Sequence, residues 1–223
     1  MRLDVGGIAK GFASQAAIDV LRTQGITRAL VGGAGDIVVA GPPPDAAGWT
    51  IAIAGLNPSG ADPETYILLK NAAISTSGDA ERFVIIDGHR YSHIINPVTG
   101  MGVEDRASVT VVAPDGGTAD ALETSVYLLG PERGLKLIEA MPGTAALYVR
   151  STPEGIRTFE SSQFKKIPRT KPKAAAGRLG DRASYQAILE GRGFQAIESL
   201  WRAEVEEFRR IRWRYSICDR DSE

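Results

Sequence analysis

Arg82-Phe83-Val84-Ile85-Ile86-Asp87-Gly88-His89-Arg90-Tyr91 sets an apolar run, an Asp-Gly pair and the start of a second run back to back. Asp-Gly between strand-like runs signals a two-residue hairpin, because both central residues of the favoured turn need positive φ. The segment therefore predicts a strand that turns back on itself, and with it antiparallel pairing. Reading outward, Ala29-Leu30-Val31, Ile37-Val38-Val39-Ala40, the alternating Trp49-Thr50-Ile51-Ala52-Ile53, Tyr66-Ile67-Leu68-Leu69 and Ala72-Ala73-Ile74-Ser75-Thr76 are strand-like upstream, and Ser108-Val109-Thr110-Val111-Val112 downstream.

Helices separate these runs. Ala13, Ala16, Ala17, Val20 and Leu21 recur at helical spacing with Gly25 as a stop, so Gly6 to Gly11 reads as a loop that opens a helix. A second helix is predicted from Thr118 to Leu129, ending at Gly130-Pro131, and a third from Glu132 to Met141, ending at Pro142-Gly143. Strand runs with intervening helices predict an α+β fold: a largely antiparallel sheet with packed helices.

Composition narrows the function classes. With 223 residues the chain can bury a substantial core. A net charge of −1 argues against a generally basic nucleic-acid binder. Cys218 is the only cysteine, which excludes an intramolecular disulfide and a Cys/His structural zinc cluster. No apolar run approaches the roughly 20 residues that span a bilayer, and Met1-Arg2-Leu3-Asp4 is not a secretory signal. A Gly-rich motif starts almost at Met1, which we read as a missing N-terminal portion. Charge balance reverses near Lys165: residues 165–223 carry 14 Lys/Arg against 9 Asp/Glu, the remainder 12 against 18. Together with Ile167-Pro168-Arg169-Thr170-Lys171-Pro172 this predicts a domain over residues 1–167 and a basic linker and tail over 168–223, with a possible helix from Glu198 to Arg212.

Three dense motifs stand out. Leu3-Asp4-Val5-Gly6-Gly7-Ile8-Ala9-Lys10-Gly11 could cradle an anion, since small residues at a helix start let backbone N–H groups approach phosphate oxygens, although a Gly-rich turn by itself is more often just a turn. Asp120 and Thr124 are four apart on one helix face, a carboxylate and a hydroxyl suited to a hard cation such as Mg2+. Asp120 could instead be a helix N-terminal residue stabilised by the dipole, and Glu123 could add negative potential or face solvent. His93, in Tyr91-Ser92-His93-Ile94-Ile95-Asn96-Pro97, could shuttle a proton or serve as a structural hydrogen-bonder. Between two apolar strands, Ser75 to Arg82 reads as a capped turn or a ligand loop.

In this order, with Thr76-Ser77-Gly78-Asp79, Leu129-Gly130-Pro131-Glu132 and Ser162-Gln163-Phe164-Lys165, the motifs resemble the FAD:protein FMN transferase (ApbE) family from Arg2 to about Lys166. The resemblance implies a Mg2+-dependent enzyme that cleaves FAD at its pyrophosphate, passes FMN to a Ser or Thr hydroxyl of a client flavoprotein and releases AMP. It implies Gly7, through its carbonyl, with Asp120 and Thr124 as metal ligands; His93 as the base; Asp120 as a catalytic residue; and Asp4, Lys10 and the Ile95 backbone as FAD contacts. It also implies a cell-envelope or periplasmic setting, against a cytoplasmic one if Met1 is the true start. Two departures are visible: Gly33-Ala34-Gly35-Asp36 replaces the more usual Ala-Gly-Gly-Asp, and Asn96 stands where Asp is common. An FAD pyrophosphatase yielding FMN and AMP, and an inactive flavin-binding remnant, remain as alternatives.

Overall fold

The computed structural model describes residues 4–53, 55–56, 65–78 and 83–170. In chain order these form α1 (Ala9–Thr23), β1 (Leu30–Gly33), β2 (Asp36–Val39), β3 (Trp49–Ile53), β4 (Thr65–Leu69), β5 (Ala72–Gly78), β6 (Phe83–Ile86), β7 (His89–Ser92), β8 (Ala107–Ala113), α2 (Gly116–Glu139), β9 (Ala145–Thr152), β10 (Gly155–Glu160), a 3-10 turn (Phe164–Lys166) and β11 (Arg169–Thr170). The fold is the predicted α+β class. Its main sheet has the order β1-β2-β5-β8-β9-β10 and is antiparallel at every pairing.

The central strand explains the layering. Every residue of β8, Ala107-Ser108-Val109-Thr110-Val111-Val112-Ala113, is buried, so both faces of the sheet are covered. Val109 and Val111 pack with Leu122, Val126 and Ile138 of α2 and with Ala146 and Tyr148 of β9. On the opposite face Val112 joins Val39, Ile74 and Leu147 against Ile51, Ile53, Ile67 and Leu69, which belong to a three-stranded sheet ordered β11-β4-β3. Ile18 of α1 closes a third cluster with Val38, Ala73, Ala113 and Ala119. Full burial of a side chain such as Ile18 or Ile67 contributes about 1.5–3 kcal/mol.

The predicted hairpin is present: β6 and β7 pair from Phe83↔Ser92 to Ile86↔His89, with Asp87 (φ 51°) and Gly88 (φ 80°) as the turn. The break after Leu129 is also present, since Gly130 leaves the helical region (φ 73°, ψ 174°) and Pro131 starts the second half of α2 without needing an N–H donor.

Three expectations need correcting. The helix α1 begins at Ala9, so Lys10 and Gly11 lie in its first turn rather than in a preceding loop. Strands β9 and β10 were not anticipated. Arg169 and Thr170, assigned to the linker, pair with Ile67 and Tyr66 of β4, and the Pro168 carbonyl accepts from the Leu68 N–H at 2.9 Å. The remainder of the predicted tail, and Asp79 to Arg82, lie outside the described residues.

Candidate active site

The first turns of α1 and α2 meet more closely than any residue but glycine would allow. A Cβ on Gly11 would stand 2.0 Å from the Gly116 carbonyl oxygen, and one on Gly116 would stand 2.1 Å from that of Gly11. Asp115 caps α2, accepting from the Thr118 N–H at 2.9 Å and from its hydroxyl at 2.7 Å, while Gln15 of α1 accepts from the Gly116 N–H at 3.2 Å. Two helix N-termini thus converge, and their dipoles favour negative charge nearby.

Asp120 sits in that convergence and is fully buried. Its Oδ2 accepts from the Gly11 N–H at 2.9 Å and its Oδ1 from Lys10 Nζ at 2.7 Å. Lys10 Nζ lies 3.2 Å from Asp36 Oδ2 as well, and Ser75 Oγ donates to Asp36 Oδ1. The result is a chain Ser75–Asp36–Lys10–Asp120 drawn from β5, β2, α1 and α2. Burial works against the Lys10 charge, but the hydrogen bond to Asp120 and the two carboxylates outweigh it and hold the ammonium above its ordinary pKa. Burial pushes the Asp36 carboxyl up, with the Ser75 hydroxyl and Lys10 opposing.

One helical turn beyond Asp120, Thr124 lies against Gly7: a Cβ on Gly7 would be 3.6 Å from Thr124 Oγ1. Thr124 Oγ1 donates to Glu123 Oε1 at 3.0 Å. Glu123 does not face solvent; burial pushes its carboxyl up to about 8, with the Thr124 hydroxyl opposing. Asp4 is exposed in the loop before α1, where its Oδ1 accepts from the Gly6 N–H at 2.7 Å.

Gly7, Lys10, Asp120 and Thr124, expected to act together, are therefore brought together. His93 and Ile95 are carried by a different segment, the one that follows β7. Ser92 and Ile94 on either side of His93 are buried, Ile94 packing with Val109, Val126 and Tyr127, so the alternation leaves His93 exposed. Ile95 is 54% exposed, and its backbone bridges to Gly102. Sequence reasoning noted Asp36 only within a motif and Ser75 only at the start of a stretch read as a capped turn or a ligand loop, and missed that the two pair within this site. The signal that could have found them is the pairing Ile37↔Ile74, whose continuation sets Asp36 opposite Ser75. A depression of about 360 Å³ lined by Leu135, Thr158, Phe159, Glu160 and Lys165 shares no residue with this site.

The sequence model of the ApbE family matches residues 1–148. The chain belongs to the ApbE family. Among ApbE relatives, the FAD:protein FMN transferase of Vibrio cholerae serotype O1 is 37% identical over 164 residues, covering 73% of this chain and 49% of that protein. The FAD:protein FMN transferase of Treponema pallidum is 35% identical over 158 residues, covering 67% of this chain and 44% of that one. The solved flavin transferase ApbE from Vibrio cholerae superposes with a TM-score of 0.66 at 36% identity, over 74% of this chain and 52% of that structure. The ApbE protein from Thermotoga maritima gives 0.66 at 34% identity, over 76% and 54%. This ApbE chain spans about half the length of the curated relatives it matches.

Proposed function

We propose that this chain transfers FMN from FAD to a Ser or Thr hydroxyl of a client flavoprotein and releases AMP, with Mg2+ at the junction of α1 and α2. The observation that carries the reading is the clustering of Lys10, Asp120, Thr124 and Gly7 within a chain of the ApbE family. The residues fit a hard cation. Among the described residues no three His, Cys, Asp or Glu side chains are placed to hold a metal ion by themselves, but Mg2+ is commonly held by one or two carboxylates together with substrate phosphates and water. Asp120, the Thr124 hydroxyl and the Gly7 carbonyl would supply such oxygens. Glu123 Oε2 adds a buried oxygen that has no hydrogen-bond partner among the described residues, the kind of atom that a cation's water satisfies.

When bound, Mg2+ supplies charge neutralisation at the pyrophosphate. The two converging helix N-termini favour the anionic pyrophosphate, and the partly exposed Lys10 ammonium adds positive charge beside it. The client hydroxyl oxygen forms a bond to the FMN phosphorus as the bond to the bridging oxygen breaks and AMP departs. His93, exposed between buried neighbours, takes the hydroxyl proton. Asp4 and the Ile95 backbone contact the flavin nucleotide.

The test is incubation of the chain with FAD, Mg2+ and a purified client flavoprotein. Flavin that stays on the client after denaturation is the expected result. FMN found only in solution would assign the chain to FAD hydrolysis, and FAD bound but unchanged would make it a flavin-binding remnant.

A further inference from the structure

Both oxygens of Asp120 are already engaged: Oδ1 by the Lys10 ammonium at 2.7 Å and Oδ2 by the Gly11 N–H at 2.9 Å. A Mg2+ ion on Oδ1, at a bond length of about 2.1 Å, would stand within about 5 Å of the ammonium, with little solvent between to weaken the repulsion. The ammonium has somewhere to go. Asp36 is buried, its Oδ2 lies 3.2 Å from Lys10 Nζ, and its Oδ1 is held by the Ser75 hydroxyl. Lys10 is 37% exposed on a flexible four-carbon stem, so it can move, whereas Asp36 and Asp120 cannot. Ser75 satisfies only one oxygen of Asp36, which leaves the other for the cation.

We propose that Lys10 serves as a built-in counter-ion to Asp120, and that Asp36, pinned by Ser75, is the second carboxylate onto which its ammonium moves when a divalent cation binds Asp120. The inference rests on the metal reading given above and adds a positioning role for Asp36 and Ser75. Without Asp36, displacing the ammonium from Asp120 would leave it without a carboxylate partner, a costly outcome in a partly buried site. With Asp36, cation binding gives up the pair with Asp120 while the ammonium closes on Asp36, to which it is already paired at 3.2 Å. The same exchange frees the ammonium's remaining donors to face the incoming pyrophosphate.

Calorimetric titration of Mg2+ alone into the 223-residue chain tests this, using Lys10→Met, Asp36→Asn and the double variant, each checked by thermal melting. Lys10→Met is expected to bind Mg2+ at least tenfold tighter, because the competing cation is gone. Asp36→Asn is expected to bind at least tenfold weaker when Lys10 is present, and within threefold of its reference when Lys10 is Met. That tenfold coupling corresponds to about 1.4 kcal/mol. An equal loss from Asp36→Asn in both backgrounds would reduce Asp36 to a nearby negative charge and overturn the exchange. So would a Lys10→Met chain that binds Mg2+ no more tightly. If Asp36→Asn fails to fold, Ser75→Ala loosens Asp36 without removing its charge; a three- to fivefold loss confined to the Lys10 background is expected, and an equal loss in both backgrounds overturns the proposal. Failure of the metal reading itself looks different: neither the parent nor Lys10→Met would bind Mg2+, and the exchange falls with it.

Discussion

The junction of α1 with α2 and the segment that follows β7 handle their functional side chains in opposite ways. At the junction, Asp36, Asp120 and Glu123 are each no more than 3% exposed and are held by the ladder of β2 on β5, by two helix N-termini and by a glycine contact closer than any Cβ permits. In the hairpin segment, Val84, Ile85, Ile86, Ile95 and Val98 are all more than half exposed, and His93 projects from between two buried neighbours. Charge is fixed where the core can enforce its geometry. The proton-transfer candidate stands where a substrate can reach it. Substitutions at the junction should therefore alter both stability and chemistry, and substitution of His93 itself chemistry alone.

The largest effect is expected at Asp120. Asp120→Asn keeps the shape but removes the charge, and FMN transfer should fall roughly 10⁴-fold, because metal stabilisation of the transition state supplies several kcal/mol. Transfer assays at saturating Mg2+ check this; activity within tenfold of the parent would remove Asp120 from the site. His93→Gln should slow transfer by roughly 10²- to 10⁴-fold and leave the melting temperature unchanged. A fall in melting temperature that matched the lost rate would break the contrast between the two regions, since it would give His93 a structural role.

Glu123 sharpens the contrast through pH. Burial raises its folded-state pKa to about 8, above the ordinary 4.5 of the unfolded chain. Its contribution is therefore fully present below pH 4.5 and is lost as pH rises toward and through 8. In the absence of divalent cations the chain should lose on the order of a few kcal/mol across that window, and Glu123→Gln should flatten the slope in denaturant titrations run at each pH. An unchanged slope would mean that Glu123 titrates as a solvated acid.

Smaller still is Gly11→Ala. Its Cβ would meet the Gly116 carbonyl at 2.0 Å and Asp120 Cβ at 2.8 Å, so the helices must separate, at a cost of about 1–3 kcal/mol. Gly117→Ala, whose Cβ would meet nothing closer than 3.5 Å, is the control, and melting curves of the pair measure the difference.

What the sequence made legible follows from how local each signal is. The Asp87-Gly88 turn, the Gly130-Pro131 break and the Asp120/Thr124 spacing depend on neighbours within a few residues, and all three are present in the fold. The start of α1 was misread because Gly11 inside a helix costs about 1 kcal/mol relative to Ala; the reason it is there, the approach of Gly116, lies 105 positions away in the chain. The apolar run Ala145-Ala146-Leu147-Tyr148-Val149 lacks alternation because the first half of β9 is buried on both faces, and such a run cannot be told from a buried helix by periodicity. Asp36 ended a Gly-rich turn and Ser75 began a polar stretch. Only the pairing of β2 with β5 makes them partners. Glu123 adjoins the predicted ligands, yet its burial depends on packing that the helix pattern alone does not reveal.

The proposed function stands on a divalent cation bound at the junction, between Asp120, Thr124 and Gly7. Anomalous scattering from crystals of this chain soaked in Mn2+ locates such a cation directly. A peak is expected within coordination distance of Asp120 Oδ1 or Oδ2, with Lys10 Nζ moved off Asp120 and toward Asp36. A Mn2+ peak elsewhere, with the Lys10–Asp120 pair intact at its 2.7 Å separation, would contradict it.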